Sequence, residues 1–193
     1  MIYLDSASTT KILASSKEQL VDSLNSLWFN SSSSHRPGKQ VAKKIKQVRS
    51  RLKERLQVPC AGEVIFTSSA TESNNLVIKG LSLQRHEEVI YSPADHPSVV
   101  MPVKFLESCE VVPLCLPQRP GGIVGVERLL GLLNEKTRLL GLTHVNNTNG
   151  VVNDVIGISQ KVKEKAPFVH IHVDMAQSFT KIPISFSSQF INS

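Results

Sequence analysis

From Glu63 onward the chain alternates short, apolar, β-prone stretches with helical patterns, and that alternation limits its possible folds more than any other feature. The spacing predicts strands at residues 64–67, 88–92, 110–114, 138–143 and 168–174. Helices are predicted between them at residues 73–80, 97–108, 126–135 and 154–165. A β-α succession of this kind predicts an α/β fold, a mostly parallel sheet flanked by helices. In such sheets ligands collect at the carboxyl ends of the strands, in the loops that lead into helices. Two local expectations follow: Asn153 caps the last helix, and Pro102 kinks or shortens the helix that contains it.

With 193 residues there is room for one good core. The 40% hydrophobic and 20% charged content is that of a globular protein. No apolar run reaches the roughly 20 residues that span a bilayer, so no membrane partner is expected. The start lacks a basic segment followed by an apolar one, so no secretory signal is expected. Cys60, Cys109 and Cys115 fit neither a disulfide framework nor a zinc site, which favours a reducing, cytoplasmic setting. The net charge of +6 is concentrated between Arg36 and Arg55, where Glu54 is the only acid. Nucleic-acid binding suits such a cluster. However, Val41, Ile45, Val48, Leu52 and Leu56 recur at helical spacing, which makes this an amphipathic helix with a solvated basic face. No aromatic residues interleave with the cations to stack on bases, and no nucleic-acid partner is expected.

Four strand ends carry the chemistry. After residues 64–67, Thr67-Ser68-Ser69-Ala70-Thr71 opens into a helix, and Ser69 and Glu72 have capping-box spacing. The unpaired N–H groups of a first turn favour an anion such as phosphate, although an ordinary capped helix has the same residues. Asp95-His96-Pro97 follows the next strand, where an imidazole either stacks on a planar ligand and moves a proton or is simply exposed. Thr143 to Gly150 is rich in Asn, either to position ligand atoms or to build Asx turns. On the last strand His170, His172 and Asp174 share one face. Three such side chains suggest a metal, but no fourth ligand follows, so no metal is expected. The other reading sets Asp174 against a cationic ring nitrogen.

Six stretches carry a resemblance over nearly the whole chain. They are Tyr3-Leu4-Asp5-Ser6-Ala7-Ser8-Thr9-Thr10, residues 30–38, residues 66–76, Asp95-His96-Pro97, residues 144–150, and residues 172–177 with Lys181-Ile182-Pro183-Ile184 after them. In this order they resemble the first half of class V aminotransferase-type enzymes, in the branch of cysteine desulfurases and selenocysteine lyases. The resemblance implies pyridoxal 5′-phosphate (PLP) as cofactor, on an incomplete large domain of the fold-type I transferase fold. Residues 1–15, with their polar Ser/Thr turns, are expected as an extended N-terminal arm, and the resemblance makes residues 16–193 a truncated PLP-binding domain. By the same resemblance Ala70 and Thr71 take the phosphate, and His96 stacks on the ring and serves catalysis. Asn147 contacts the ring oxygen or the substrate carboxylate, Asp174 pairs with the ring nitrogen, and Gln177 bonds the ring oxygen. The implied reaction removes sulfur from cysteine, or selenium from selenocysteine, and leaves alanine. A homodimer, or a complementing C-terminal chain, is implied as partner.

The departures carry expectations of their own. The lysine that forms the family's Schiff base belongs to a Ser-x-His-Lys motif absent from these 193 residues. The chain alone is therefore expected to be inactive. Half of a split enzyme and a non-catalytic binding or regulatory fragment are the alternatives. Lys181 is no substitute, and the three cysteines match no catalytic position. Thr148 and Asn149 stand where the family has a carboxylate and a variable residue, and Ser69 stands where it has glycine. A Cβ at that turn is expected to crowd the backbone approach to phosphate. A sheet cut short is expected to leave unpaired edges and poor solubility.

Overall fold

The apolar stretches become strands where a neighbour exists to pair with them. The computed structural model describes residues 2–58, 62–183 and 190–193. It divides into two compact units, Met1–Val64 and Ile65–Ser193.

In the first unit, α1 spans Ala14–Ser26 and α2 spans Arg36–Leu56. His35 caps α2, its Nδ1 accepting from the Gly38 N–H at 3.2 Å, and Pro37 lies in the first turn, where its missing N–H costs nothing. Along the predicted apolar stripe of α2, Val41 is buried, Ile45, Leu52 and Leu56 are half-buried, and Val48 is exposed. The helix ends on Gln57 in the left-handed conformation.

The second unit holds α3 (Ala70–Gly80), β1 (Glu88–Tyr91), α4 (Pro97–Glu107), β2 (Val112–Cys115), α5 (Val126–Leu132), β3 (Thr137–Thr143), α6 (Val155–Lys165) and β4 (His170–Asp174). All pairings are parallel, in the order β2-β1-β3-β4. Strands β1, β3 and β4 are buried on both faces, as in parallel sheets, whereas the edge strand β2 is half-buried to exposed. Val89, Tyr91 and Leu139 pack against Ile78 of α3 and Val99, Val103 and Leu106 of α4. Ile90, Leu140, Leu142, Ile171 and Val173 face Leu129 of α5 and Val155, Ile158 and Val162 of α6. Each such side chain contributes roughly 2 kcal/mol over its exposed state.

This order reverses direction between β1 and β3. In sheets of this kind such a switch point, at the carboxyl ends of the two strands, is where ligands bind.

Three expectations are corrected. Residues 64–67 form no strand, and Ile65 and Phe66 are 67% and 52% exposed. Among the described residues no partner strand lies beside them, and β propensity without a ladder does not hold a strand. Pro102 does not shorten α4 to its own position: the helix runs on to Glu107 with Pro102 buried inside it. Asp154, not Asn153, caps α6, its carboxylate accepting from the Gly157 N–H at 3.0 Å. Asn153 is committed elsewhere: its Oδ1 accepts from the Val124 N–H and its Nδ2 donates to the Thr143 carbonyl. Cys60 and Ile184 lie outside the described residues.

Candidate functional site

The amino end of α3 is built by its cap. Ser69 Oγ accepts from the Glu72 N–H at 3.2 Å. The Glu72 carboxylate accepts from both the N–H and the hydroxyl of Ser68, each at 2.6 Å, so the reciprocal bond reaches one residue further back than a capping box requires. These bonds hold the Glu72 carboxyl below its usual range. Ser69 is extended, with φ of −166°, which any residue adopts, so its side chain brings no backbone strain. Ala70 and Thr71 follow, exposed, in the turn whose amides have no carbonyl one turn back.

After β1, His96 caps α4. Its Nδ1 accepts from the Ser98 N–H at 3.1 Å and lies 2.8 Å from Ser98 Oγ, while the ring itself is exposed. With Nδ1 committed as acceptor, this network assigns the proton of a neutral ring to Nε2. Asp95, just before it, is pushed up to about 6. Burial is the main cause, opposed by hydrogen bonds from the Thr143 side chain and the Ser92 backbone and reinforced by the charge of Asp174. Its Oδ2 is buried with no hydrogen-bond partner among the described residues.

After β3, Asn146 is buried and its Oδ1 accepts from the N–H groups of Thr148 and Asn149. The Asn-rich loop is thus an Asx turn, tied to the β1 loop by Asn146 Nδ2 donating to the Ala94 carbonyl at 3.3 Å. Asn147 is exposed in that turn. His144 is buried beside it, and burial lowers its basicity.

At the end of β4, Asp174 Oδ1 accepts from the Ala176 N–H at 2.9 Å, and Oδ2 accepts from Asn74 Nδ2 at 2.8 Å. Gln177 is half-buried in the turn that follows. Asn74, on the inner face of α3, is 2% exposed. Its Nδ2 also donates to Ser98 Oγ at 2.9 Å, and its Oδ1 accepts from His172 Nε2 at 2.8 Å. His172 is buried and pushed down to about 4, mainly by burial, which the charge of Asp174 opposes.

One chain of hydrogen bonds, His96–Ser98–Asn74–Asp174, therefore joins two of the predicted site residues. A groove of about 480 Å³ between α3 and α4 brings Thr71 and His96 onto one surface with Asn75, Ser98, Met101 and Phe105, but it does not include Asp174 or Gln177. The shared-face reading of β4 holds: His172 and Asp174 both meet Asn74, and His170 Nε2 and His172 Nδ1 both meet Ser193 Oγ, at 2.9 and 3.1 Å. Among the described residues no group of three His, Cys, Asp or Glu side chains is placed to hold a metal. Cys109 and Cys115 are free, exposed thiols. Sequence reasoning missed Asn74 and Ser98. The available signal was a polar side chain at a buried position of an amphipathic helix.

A family model described as aminotransferase class-V matches residues 2–191. The cysteine desulfurase IscS of Shewanella loihica is 34% identical over 197 residues, covering 99% of this chain and 48% of that protein. Among solved structures, a NifS-like protein superposes with a TM-score of 0.89 at 26% identity, over 96% of this chain and 52% of that one. A structure described as SspA in complex with cysteine gives 0.85 at 28% identity, over 95% and 53%. The chain thus spans about half the length of the relatives it matches. A parallel sheet flanked by helices, the NifS-like superposition and a family match over almost every residue agree: the chain belongs to the class-V aminotransferase family.

Proposed function

We propose that these residues form the cofactor-binding part of a PLP-dependent cysteine desulfurase. The observation that carries this reading is the class-V match together with relatives named cysteine desulfurase. The donor set also fits PLP. Asp174 offers two oxygens that already accept N–H groups, as a carboxylate does, with lone pairs left for a protonated ring nitrogen. The first turn of α3 offers the amides of Ala70 and Thr71 and the Thr71 hydroxyl to a phosphate dianion. His96 offers an exposed flat ring, held in place by Ser98.

PLP, when bound, supplies a conjugated ring that accepts the electron pair left as the amino-acid substrate loses its α-proton. Asp174 would hold the proton on the ring nitrogen and so preserve that capacity. His96, held by Ser98, would stack on the ring and serve in proton transfer through Nε2. Asn147 would contact the ring oxygen or the substrate carboxylate, and Gln177 would hydrogen-bond the ring oxygen. The substrate is cysteine or its heavier analogue selenocysteine, and the organic product is alanine. On this reading the chain belongs in a homodimer and in a reducing, cytoplasmic setting, where Cys109 and Cys115 stay free.

Residues 1–193 contain no Ser-x-His-Lys, so this polypeptide holds PLP without a covalent lysine link and does not turn over cysteine by itself. Titration with PLP, followed by absorbance, tests the reading. Saturable binding that is weakened about tenfold or more in Asp174→Asn supports it. Absence of binding sinks it, and a lysine adduct after borohydride reduction, with alanine formed from cysteine, sinks the non-covalent part.

A further inference from the structure

Asn74 is an amide whose every strong hydrogen-bonding position but one is filled by a residue distant in sequence. Its two Nδ2 hydrogens go to Ser98 Oγ and Asp174 Oδ2, and its Oδ1 faces His172 Nε2. The assignment is forced link by link. An ionised Asp174 only accepts, so the amide nitrogen must face it. The amide oxygen then faces His172, whose Nε2 must carry a proton. Asn74 is almost wholly buried, so water does not substitute for any of these bonds.

We propose that Asn74 is the positioning residue of this site: its amide aims the Asp174 carboxylate and fixes the proton of His172 on Nε2. This deepens the PLP reading and rests on it only for the ligand. Asp174 hangs from the end of a strand, and its Oδ2 has Asn74 as its side-chain donor. Removing that donor leaves the carboxylate held through Oδ1 alone, by the Ala176 N–H. Through Ser98, the same amide braces the cap that holds His96.

Two measurements test this. The first is the long-range proton–nitrogen NMR spectrum of the histidine rings, which needs no ligand. His172 is expected as the Nε2–H form. In Asn74→Leu its proton should move to Nδ1 and donate to Ser193 Oγ, now 3.1 Å away. In Asn74→Asp, which keeps an acceptor at that place and guards against a misfolded leucine variant, it should stay on Nε2. The second compares the affinity for PLP with that for the analogue whose ring nitrogen is replaced by C–H. Asn74→Leu should weaken PLP about tenfold and the analogue, which has no ring nitrogen for Asp174 to meet, severalfold less. Asn74→Asp should bind PLP well at low pH and lose it as pH rises, because its carboxyl must keep a proton to bridge to Asp174. A residue that merely fills space predicts equal losses for both ligands and no pH dependence. An unmoved His172 proton in Asn74→Leu, or equal losses, overturns the proposal. If the unaltered protein binds neither ligand, the PLP reading fails and the ring spectra alone decide on Asn74.

Discussion

Asp95 and His172 share one charged neighbour, Asp174, and burial drives their titrations in opposite directions. Withdrawal from water disfavours whichever form is charged, so it raises the carboxylic acid to about 6 and lowers the imidazole to about 4. In mildly acid solution the folded chain therefore keeps both groups neutral, while the unfolded chain has both charged.

The consequence is a stability that barely responds to pH where either group alone would change it. His172 contributes stability that is complete above its ordinary value of 6.5 and is lost as pH falls towards about 4. Asp95 contributes stability that is complete below its ordinary 3.8 and is lost as pH rises through about 6. Between pH 4 and 6 the two slopes oppose each other. Asp95→Asn removes one of them, so the variant should lose roughly 3 kcal/mol between pH 6.5 and 4, while the unaltered protein loses much less. Urea midpoints across that range measure it, and parallel curves for the two proteins would refute it.

The four strands β1 to β4 were legible to within two residues because each has a paired neighbour on the sheet. Residues 64–67 have the same composition and no described neighbour, so the same signal misleads. The chemistry at the strand ends was legible as residue types: Asp174, His96 and the Asn-rich turn all sit where a parallel sheet places them. What holds them was not legible. Asn74 reads as one more polar residue of α3, because its partners His172 and Asp174 are 98 and 100 positions away. Asn153 reads as a helix cap for the same reason: local pattern reports the nearest use of a side chain, and its actual partners lie across the fold.

Ser69 should prove stabilising. Its hydroxyl caps α3, and its backbone is extended and unstrained. Ser69→Ala should cost about 1 kcal/mol, and Ser69→Gly only a few tenths. Thermal or urea midpoints distinguish the two, and an alanine variant as stable as the glycine variant would deny the cap its role.

Gly38 should tolerate no side chain. A Cβ there would lie 2.7 Å from the Ser33 carbonyl oxygen and 2.8 Å from that of Asn30. Both are backbone atoms of the turn closed by the Ser33 N–H on Asn30. Alanine gains roughly 1 kcal/mol of helix propensity, but moving that turn costs roughly 1–3 kcal/mol. Gly38→Ala should therefore speed hydrogen exchange at the start of α2. Gly80→Ala, with nothing within 4 Å, should leave exchange unchanged or slow it.

Asn153 is the strongest test of how the β3 loop is held. Its side chain is 7% exposed and joins three segments, accepting from the Val124 N–H at 3.1 Å and donating to the Thr143 carbonyl at 3.0 Å. Its own backbone N–H donates to the His144 carbonyl at 2.9 Å. Alanine keeps that last bond and deletes the other two, leaving the buried N–H of Val124 without an acceptor. An orphaned buried donor costs more than a hydrogen bond contributes, so Asn153→Ala should lose roughly 2–3 kcal/mol. Asn153→Asp separates the two bonds, because it still accepts from Val124 but cannot donate to Thr143 unless protonated. Its deficit should be large at neutral pH, where a carboxylate faces a carbonyl, and shrink as the solution is acidified. A pH-independent deficit would mean that the Thr143 bond contributes nothing, and that the loop carrying Asn146 and Asn147 is held from the Val124 side alone.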